Sequence, residues 1–149
     1  GNNFDLVTQT QILDTWNKLT SVFFLVMLVL AGVSLMVGGI GVTAIMMVSV
    51  TERTKEIGLR KALGARRADI LWQFLVEAAT LTLLGGAAGI LIGGGLATLL
   101  SKLTPIPAVV PLWSVLSAVG ASIAVGVAFG VYPANRAARL DPVEALRHE

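Results

Sequence analysis

Cysteine is absent from this 149-residue sequence. That excludes a disulfide framework, a thiolate metal site and a thiol nucleophile, and leaves the redox compartment undetermined. Histidine is nearly absent too: His148 is alone and sits next to the last residue. No Ser/His/Asp arrangement or carboxylate pair stands out, so catalytic chemistry has little to build on. Charge is scarce, at 13% of residues against about 25% in soluble domains. A soluble chain of this length could bury a core but would need more polar surface. Glycines are abundant, yet no Gly-Lys-Ser/Thr follows any of them and most lie in apolar segments, which excludes a P-loop ATPase in this stretch. The opening Gly1-Asn2-Asn3-Phe4-Asp5 has neither Met nor a basic region before an apolar core. It is not a signal peptide and reads as the start of the tail of a longer polypeptide, or of a piece cut from one.

What is present is apolar length. Leu19–Val50 and Ala78–Ser101 carry no formal charge. Uncharged stretches of this size read as membrane-embedded, because about 20 apolar residues cross the hydrocarbon. A third such stretch is Leu112–Tyr132. The expected fold class is therefore an all-α membrane protein. It has three transmembrane helices, a short cytoplasmic helix between the first two and a short C-terminal cytoplasmic helix. The expected divisions are 1–19 as the end of an outer domain or stalk, 20–50 as the first span, 51–77 as a cytoplasmic loop and amphipathic lead-in, 78–101 as the second span, 102–111 as an outer loop, 112–133 as the third span and 134–149 as a cytoplasmic tail. The first uncharged stretch exceeds one bilayer crossing, so that helix tilts or projects beyond one face. Its polar approach has helical spacing at Ile12-Leu13, Trp16 and Leu19, which starts it in water near Gln9.

Lysine and arginine set the orientation. The loop 51–77 is strongly basic and the tail carries Arg136, Arg139 and Arg147, whereas the Pro-rich loop has only Lys102. Three spans put the basic loop and the tail on one side, which is the cytoplasm by charge bias. Trp16, Trp72, Trp113 and Tyr132 lie near span ends, where aromatic rings anchor at the interface.

Small residues repeat at four-residue spacing at Gly85, Gly89 and Gly93, and again at Ala118, Ser122, Gly126, Gly130 and Ala134. Such stripes let helix backbones approach closely in lipid. They serve either packing within one bundle or a subunit interface.

The charged island Thr51–Arg67 holds six of the eleven basic residues. Glu52 to Leu63 reads as a helix. Glu56 precedes Arg60 by four residues, the favourable order for an ion pair. Arg60 and Lys61 suit the last turn, and Gly64 sits where a glycine ends a helix. Topology alone needs only basic charge. Interleaved acids, an apolar stripe and a glycine stop suit docking onto a partner. Glu77, near a span boundary, reads as an interfacial hydrogen-bond acceptor. No second ionisable residue lies deep in a span, which argues against a proton relay. In the tail, Asp141 caps, Pro142 fills the first helical position and Glu144 completes a capping-box-like start, giving a helix from Pro142 to about Arg147.

Thr51-Glu-Arg-Thr-Lys-Glu-Ile-Gly-Leu-Arg-Lys-Ala-Leu-Gly-Ala65, Gln73-Phe-Leu-Val-Glu77, the Gly85-Gly86 pair and Tyr132-Pro-Ala-Asn-Arg-Ala-Ala-Arg-Leu-Asp-Pro-Val-Glu-Ala-Leu-Arg147 resemble the C-terminal region of MacB/FtsX-like ABC transporter permeases, from about Ser21 onward. Thr43-Ala44-Ile45 departs from the pattern, where many such permeases carry an asparagine. The resemblance implies helices two to four of a four-helix permease in the bacterial inner membrane, multi-pass, with a cytoplasmic C-terminus. It implies a permease homodimer or heterodimer, an ABC ATPase partner that holds ATP and magnesium, and a periplasmic adaptor or outer-membrane duct. Cofactors, metals and nucleic acid are not expected in this chain. The coupling role falls on Glu52, Arg53, Lys55, Glu56, Ile57, Gly58, Arg60, Lys61, Gly64 and Ala65. The implied function is to pass ATP-driven motion across the membrane for export of a drug, peptide or lipoprotein. A regulatory complex acting on a cell-wall hydrolase or a sensor kinase shares this architecture.

Overall fold

The computed structural model describes the backbone of residues 2–104 and 109–147, and the side chains of residues 10–104 and 109–145. Part of the predicted outer loop (105–108), His148 and the Arg147 side chain lie outside the described residues. Five helices follow one another: α1 Asn2–Glu52, α2 Thr54–Ala62, α3 Arg67–Leu103, α4 Leu112–Ala138 and α5 Pro142–Arg147. No strand occurs among the described residues. Three helices are long and apolar enough to cross a membrane, within Thr10–Glu52, Arg67–Leu103 and Leu112–Ala138.

The chain forms two units, Gly1–Val37 and Gly38–Glu149. The first consists of the N-terminal part of α1. Its side chains from Val22 to Leu30 are each 49–70% exposed, all round the helix. A helix apolar on every side is stable only in lipid or against other protein.

The second unit packs the end of α1 with α2–α5. Its core gathers Met46 and Val50 from α1, Ile57 from α2, Ile70, Phe74 and Ala78 from α3, and Ala134, Ala137 and Ala138 from α4. The core therefore sits where α2 joins the long helices. Small residues set the α3–α4 spacing. A Cβ at Gly126 would meet Thr82 Oγ1 and come within 2.9 Å of the Ala78 carbonyl oxygen. A Cβ at Gly130 would come within 2.5 Å of Ala78 Cβ, and one at Gly86 would strike Ser122 Oγ. Ser122 itself donates to the Ala118 carbonyl at 2.9 Å. A Cβ at Gly85, Gly89 or Gly93 would meet nothing within 4 Å. The glycine that α3 uses against α4 in this stretch is thus Gly86, about 100° round the helix from Gly85.

Boundaries differ from the sequence expectation in three places. The loop helix is shorter than Glu52–Leu63, because α1 continues through Glu52 and the chain turns at Arg53. The amphipathic lead-in and the second span are one helix, α3, which starts at Arg67. The third span does not stop at Tyr132, since α4 runs through Pro133 to Ala138.

That last difference has a physical reason. Proline lacks the N–H that would bond the carbonyl four residues back, here Phe129. Thr43 Oγ1 of α1 donates to the Phe129 carbonyl at 2.9 Å. The same hydroxyl lies 3.2 Å from the Gly39 carbonyl of its own helix. It has one proton, and the shorter contact takes it. A threonine on one helix thus satisfies the acceptor that proline orphans on another. Gly39 completes the contact, since a Cβ there would enter the Phe129 ring. Thr43→Val keeps the shape but removes the donor. It is expected to cost about 1–2 kcal/mol, read as a lower denaturation midpoint of the purified full-length protein, while Thr43→Ser stays near wild type.

Candidate functional site

The island folds into a helix with defined ends. At the α1–α2 turn, Thr54 Oγ1 lies 2.9 Å from the Val50 carbonyl and 2.8 Å from the Thr51 carbonyl. At the other end Gly64 has φ of 99°. Its N–H donates to the Lys61 carbonyl, and the Ala65 N–H donates to the Arg60 carbonyl, both at 3.0 Å. These two bonds make a Schellman stop, which needs the left-handed conformation that glycine adopts without strain. The next helix starts where Asp69 Oδ2 accepts from the Arg66 N–H at 3.1 Å.

Three of the four directions around α2 are engaged. Its inner face buries Ile57 and Gly58. Ile57 enters the core, and Gly58 lies against α5, where an added Cβ would stand 2.6 Å from Ala145 Cβ. Along one flank, Arg60 donates to Glu56 Oε1 at 2.6 Å and to Gln73 Oε1 of α3 at 2.7 Å. Arg53 pairs with Glu77 of α3 at 3.4 Å. Along the other, Lys61 Nζ donates to the Leu140 carbonyl at 2.5 Å, beyond the end of α4. Partial burial, then the Arg67 guanidinium, lower the Lys61 ammonium from its usual range, and the Asp141 carboxylate opposes them. The outer face keeps Lys55, Leu59 and Leu63 exposed, Leu63 at 81%. Glu52, which closes α1, is exposed as well.

Helix α5 begins as its sequence indicates, with Asp141 Oδ1 accepting the Val143 N–H at 2.9 Å and Pro142 first in the helix. Glu144 is exposed and makes no return bond to the Asp141 backbone, so Asp141 carries the cap alone. Residues that sequence reasoning passed over are Gln73, Leu140 and Ala145, which hold α2 in place. Gly58, a glycine inside a helical segment between Ile57 and Leu59, was the available signal for the α5 contact. Nothing local pointed to the Leu140 carbonyl. No group of three or more metal-binding side chains forms among the described residues.

A family model described as FtsX-like permease C-terminal matches residues 21–142. The chain belongs to the FtsX-like permease C-terminal family. The FtsX-like chain is 48% identical over 148 residues to an uncharacterized ABC transporter permease, YknZ, of Bacillus subtilis (strain 168), covering 99% of the chain and 37% of the relative. It is 49% identical to the macrolide export ATP-binding/permease protein MacB of Syntrophobacter fumaroxidans, covering 99% and 21%. Identity to the MacB of Bdellovibrio bacteriovorus is 46%, covering 100% and 23%. The chain thus spans between about a fifth and somewhat over a third of the length of these curated relatives. This FtsX-like chain is a membrane protein of the ABC transporter permease class, MacB-like in sequence.

Proposed function

We propose that this chain receives the motion of an ABC ATPase at α2 and passes it into α1. The observation that carries the reading is α2 itself. It is stopped at Gly64, braced on α3, α4 and α5, and leaves Lys55, Glu56, Leu59, Arg60 and Leu63 exposed. A helix held this rigidly moves as one body with the long helices. Helix α1 follows directly across Arg53. For motion to be transmitted, the ATPase must contact α2 differently with and without nucleotide. ATP and magnesium belong to that partner; the MacB relatives are named ATP-binding/permease proteins, which supports an ATPase partner here, fused or separate. The basic loop and tail support a cytoplasmic position for α2 and α5 in a bacterial inner membrane. A second permease copy and an adaptor or duct outside the membrane complete the assembly. Macrolide export, named for the relatives, is the starting choice of cargo.

The test removes the outer charge pair. Glu56 and Arg60 are 53% and 46% exposed, so their pairing contributes under about 1 kcal/mol of stability. Glu56→Ala with Arg60→Ala in the full-length protein is expected to retain ATP hydrolysis and lose macrolide resistance in cells, at unchanged membrane levels. Full resistance in that variant overturns the docking role.

A further inference from the structure

An open cleft of about 430 Å³ lies where α4 meets α5, lined by Tyr132, Asn135, Arg136, Arg139, Leu140, Asp141 and Glu144. Its size falls in the range of about 300–1,000 Å³ of small-molecule sites. Tyr132, Asn135, Arg136 and Arg139 are spaced i, i+3, i+4 and i+7, so they share one face of α4. From Tyr132 to Arg139 the helix rises about 10 Å, enough to cross the roughly 5–7 Å headgroup layer of one leaflet. Tyr132 is exposed at the end of a membrane-spanning helix, where its ring suits the interface.

The charges in this cleft do not neutralise each other. Ion pairs among the described residues are Arg53–Glu77 and Arg60–Glu56, so neither cleft arginine is paired with either cleft acid. Arg139 spends its Nε–H on Asn135 Oδ1 at 3.1 Å, which leaves its two terminal nitrogens free. Asp141 holds the Val143 N–H as a cap and lies near Lys61. Glu144 is exposed and has no ion pair or hydrogen bond among the described residues. Two guanidiniums, Arg136 in the last turn of α4 and Arg139 at its cap, are thus followed by the Glu144 carboxylate in the same cleft.

We infer that this cleft binds the headgroup of a zwitterionic aminophospholipid, with its phosphate on Arg136 and Arg139 and its ammonium on Glu144. Guanidiniums bond phosphate oxygens in a charge-assisted, bidentate way. A primary ammonium brings three N–H donors to the carboxylate. A choline headgroup brings none, and a glycerol headgroup brings no positive charge. The inference rests on the α4 membrane span alone and stands apart from the ATPase reading.

Native mass spectrometry of the detergent-purified full-length protein tests it, using phosphatidylethanolamine, phosphatidylcholine and phosphatidylglycerol of identical acyl chains. The ethanolamine lipid is expected to bind about tenfold more tightly than either other lipid, the worth of one charge-assisted hydrogen bond. Glu144→Gln erases the ethanolamine–choline difference and leaves the glycerol lipid favoured. Arg136→Gln with Arg139→Gln weakens all three. A wild-type protein that prefers the glycerol lipid, with Glu144→Gln having no effect, has only a basic patch there and overturns the inference. Equal binding of all three lipids does the same. Glycerophosphoethanolamine that displaces the lipid at equal concentration marks a soluble-ligand site and overturns the lipid assignment.

Discussion

Gly126→Leu is expected to separate α3 from α4 and to be the most damaging single change in this chain. A Cβ at Gly126 meets Thr82 Oγ1, and at 2.9 Å both the Ala78 carbonyl oxygen and Ala79 Cα. The hydroxyl can rotate, but the backbone atoms cannot. The helices must then move apart, and Gly130 and Ala78 lose their contact with them. Overpacking costs about 1–3 kcal/mol where side chains can yield. Here the obstruction is backbone, so the upper end or more is expected. Denaturation of the purified full-length protein in detergent reads this as a lost or sharply lowered transition. Gly89→Leu is the matched control on α3, because the space beside Gly89 is open in this chain. A Gly126→Leu protein as stable as wild type would show that α3 and α4 do not pack through this glycine.

Gly58→Leu is expected to displace α5 from α2. Ala145 Cβ would lie 2.6 Å from the first added carbon, and the Leu side chain extends further into α5. A six-residue helix cannot hold itself together in water, because helix nucleation is unfavourable and short helices rely on packing. Once displaced, α5 should unwind. Hydrogen exchange in the tail should rise at least tenfold, and, on the proposed coupling role, export by the full-length protein should fall more than tenfold while ATP hydrolysis persists. Gly58→Ala paired with Ala145→Gly moves the methyl group from one helix to the other, and should restore protection that Gly58→Ala alone loses. Unchanged tail exchange in Gly58→Leu would mean that α5 does not depend on this seat.

The elements written by local chemistry were legible in the sequence. Gly64, Ala65 and the Lys61 and Arg60 carbonyls they bond lie within six residues, and Asp141, Pro142 and Val143 are consecutive. Their hydrogen bonds follow from residue type and spacing alone. The Glu56–Arg60 pair is of the same kind. What was not legible depends on rotation about helix axes. Gly85 and Gly86 are the same residue type side by side, and only the placement of α4 chooses Gly86. Nothing next to Pro133 in sequence shows that α4 continues through it. The donor that lets α4 continue comes from Thr43, which no window around Pro133 contains. The braces from Gln73 and the Leu140 carbonyl likewise join segments far apart in sequence.

The seat of α2 on α5 also sets a timetable for synthesis. Gly58 leaves the ribosome well before Ala145, which lies roughly 90 residues later, or about 5–20 s at ordinary bacterial translation rates. Throughout that interval the Gly58 face has no cover, and Lys61 has no Leu140 carbonyl to reach. The seat that holds α2 is therefore complete only once α5 has emerged. A chain cut short before α5 could insert all three spans and still present an unseated α2, so synthesis of α5 acts as the checkpoint for the proposed engagement.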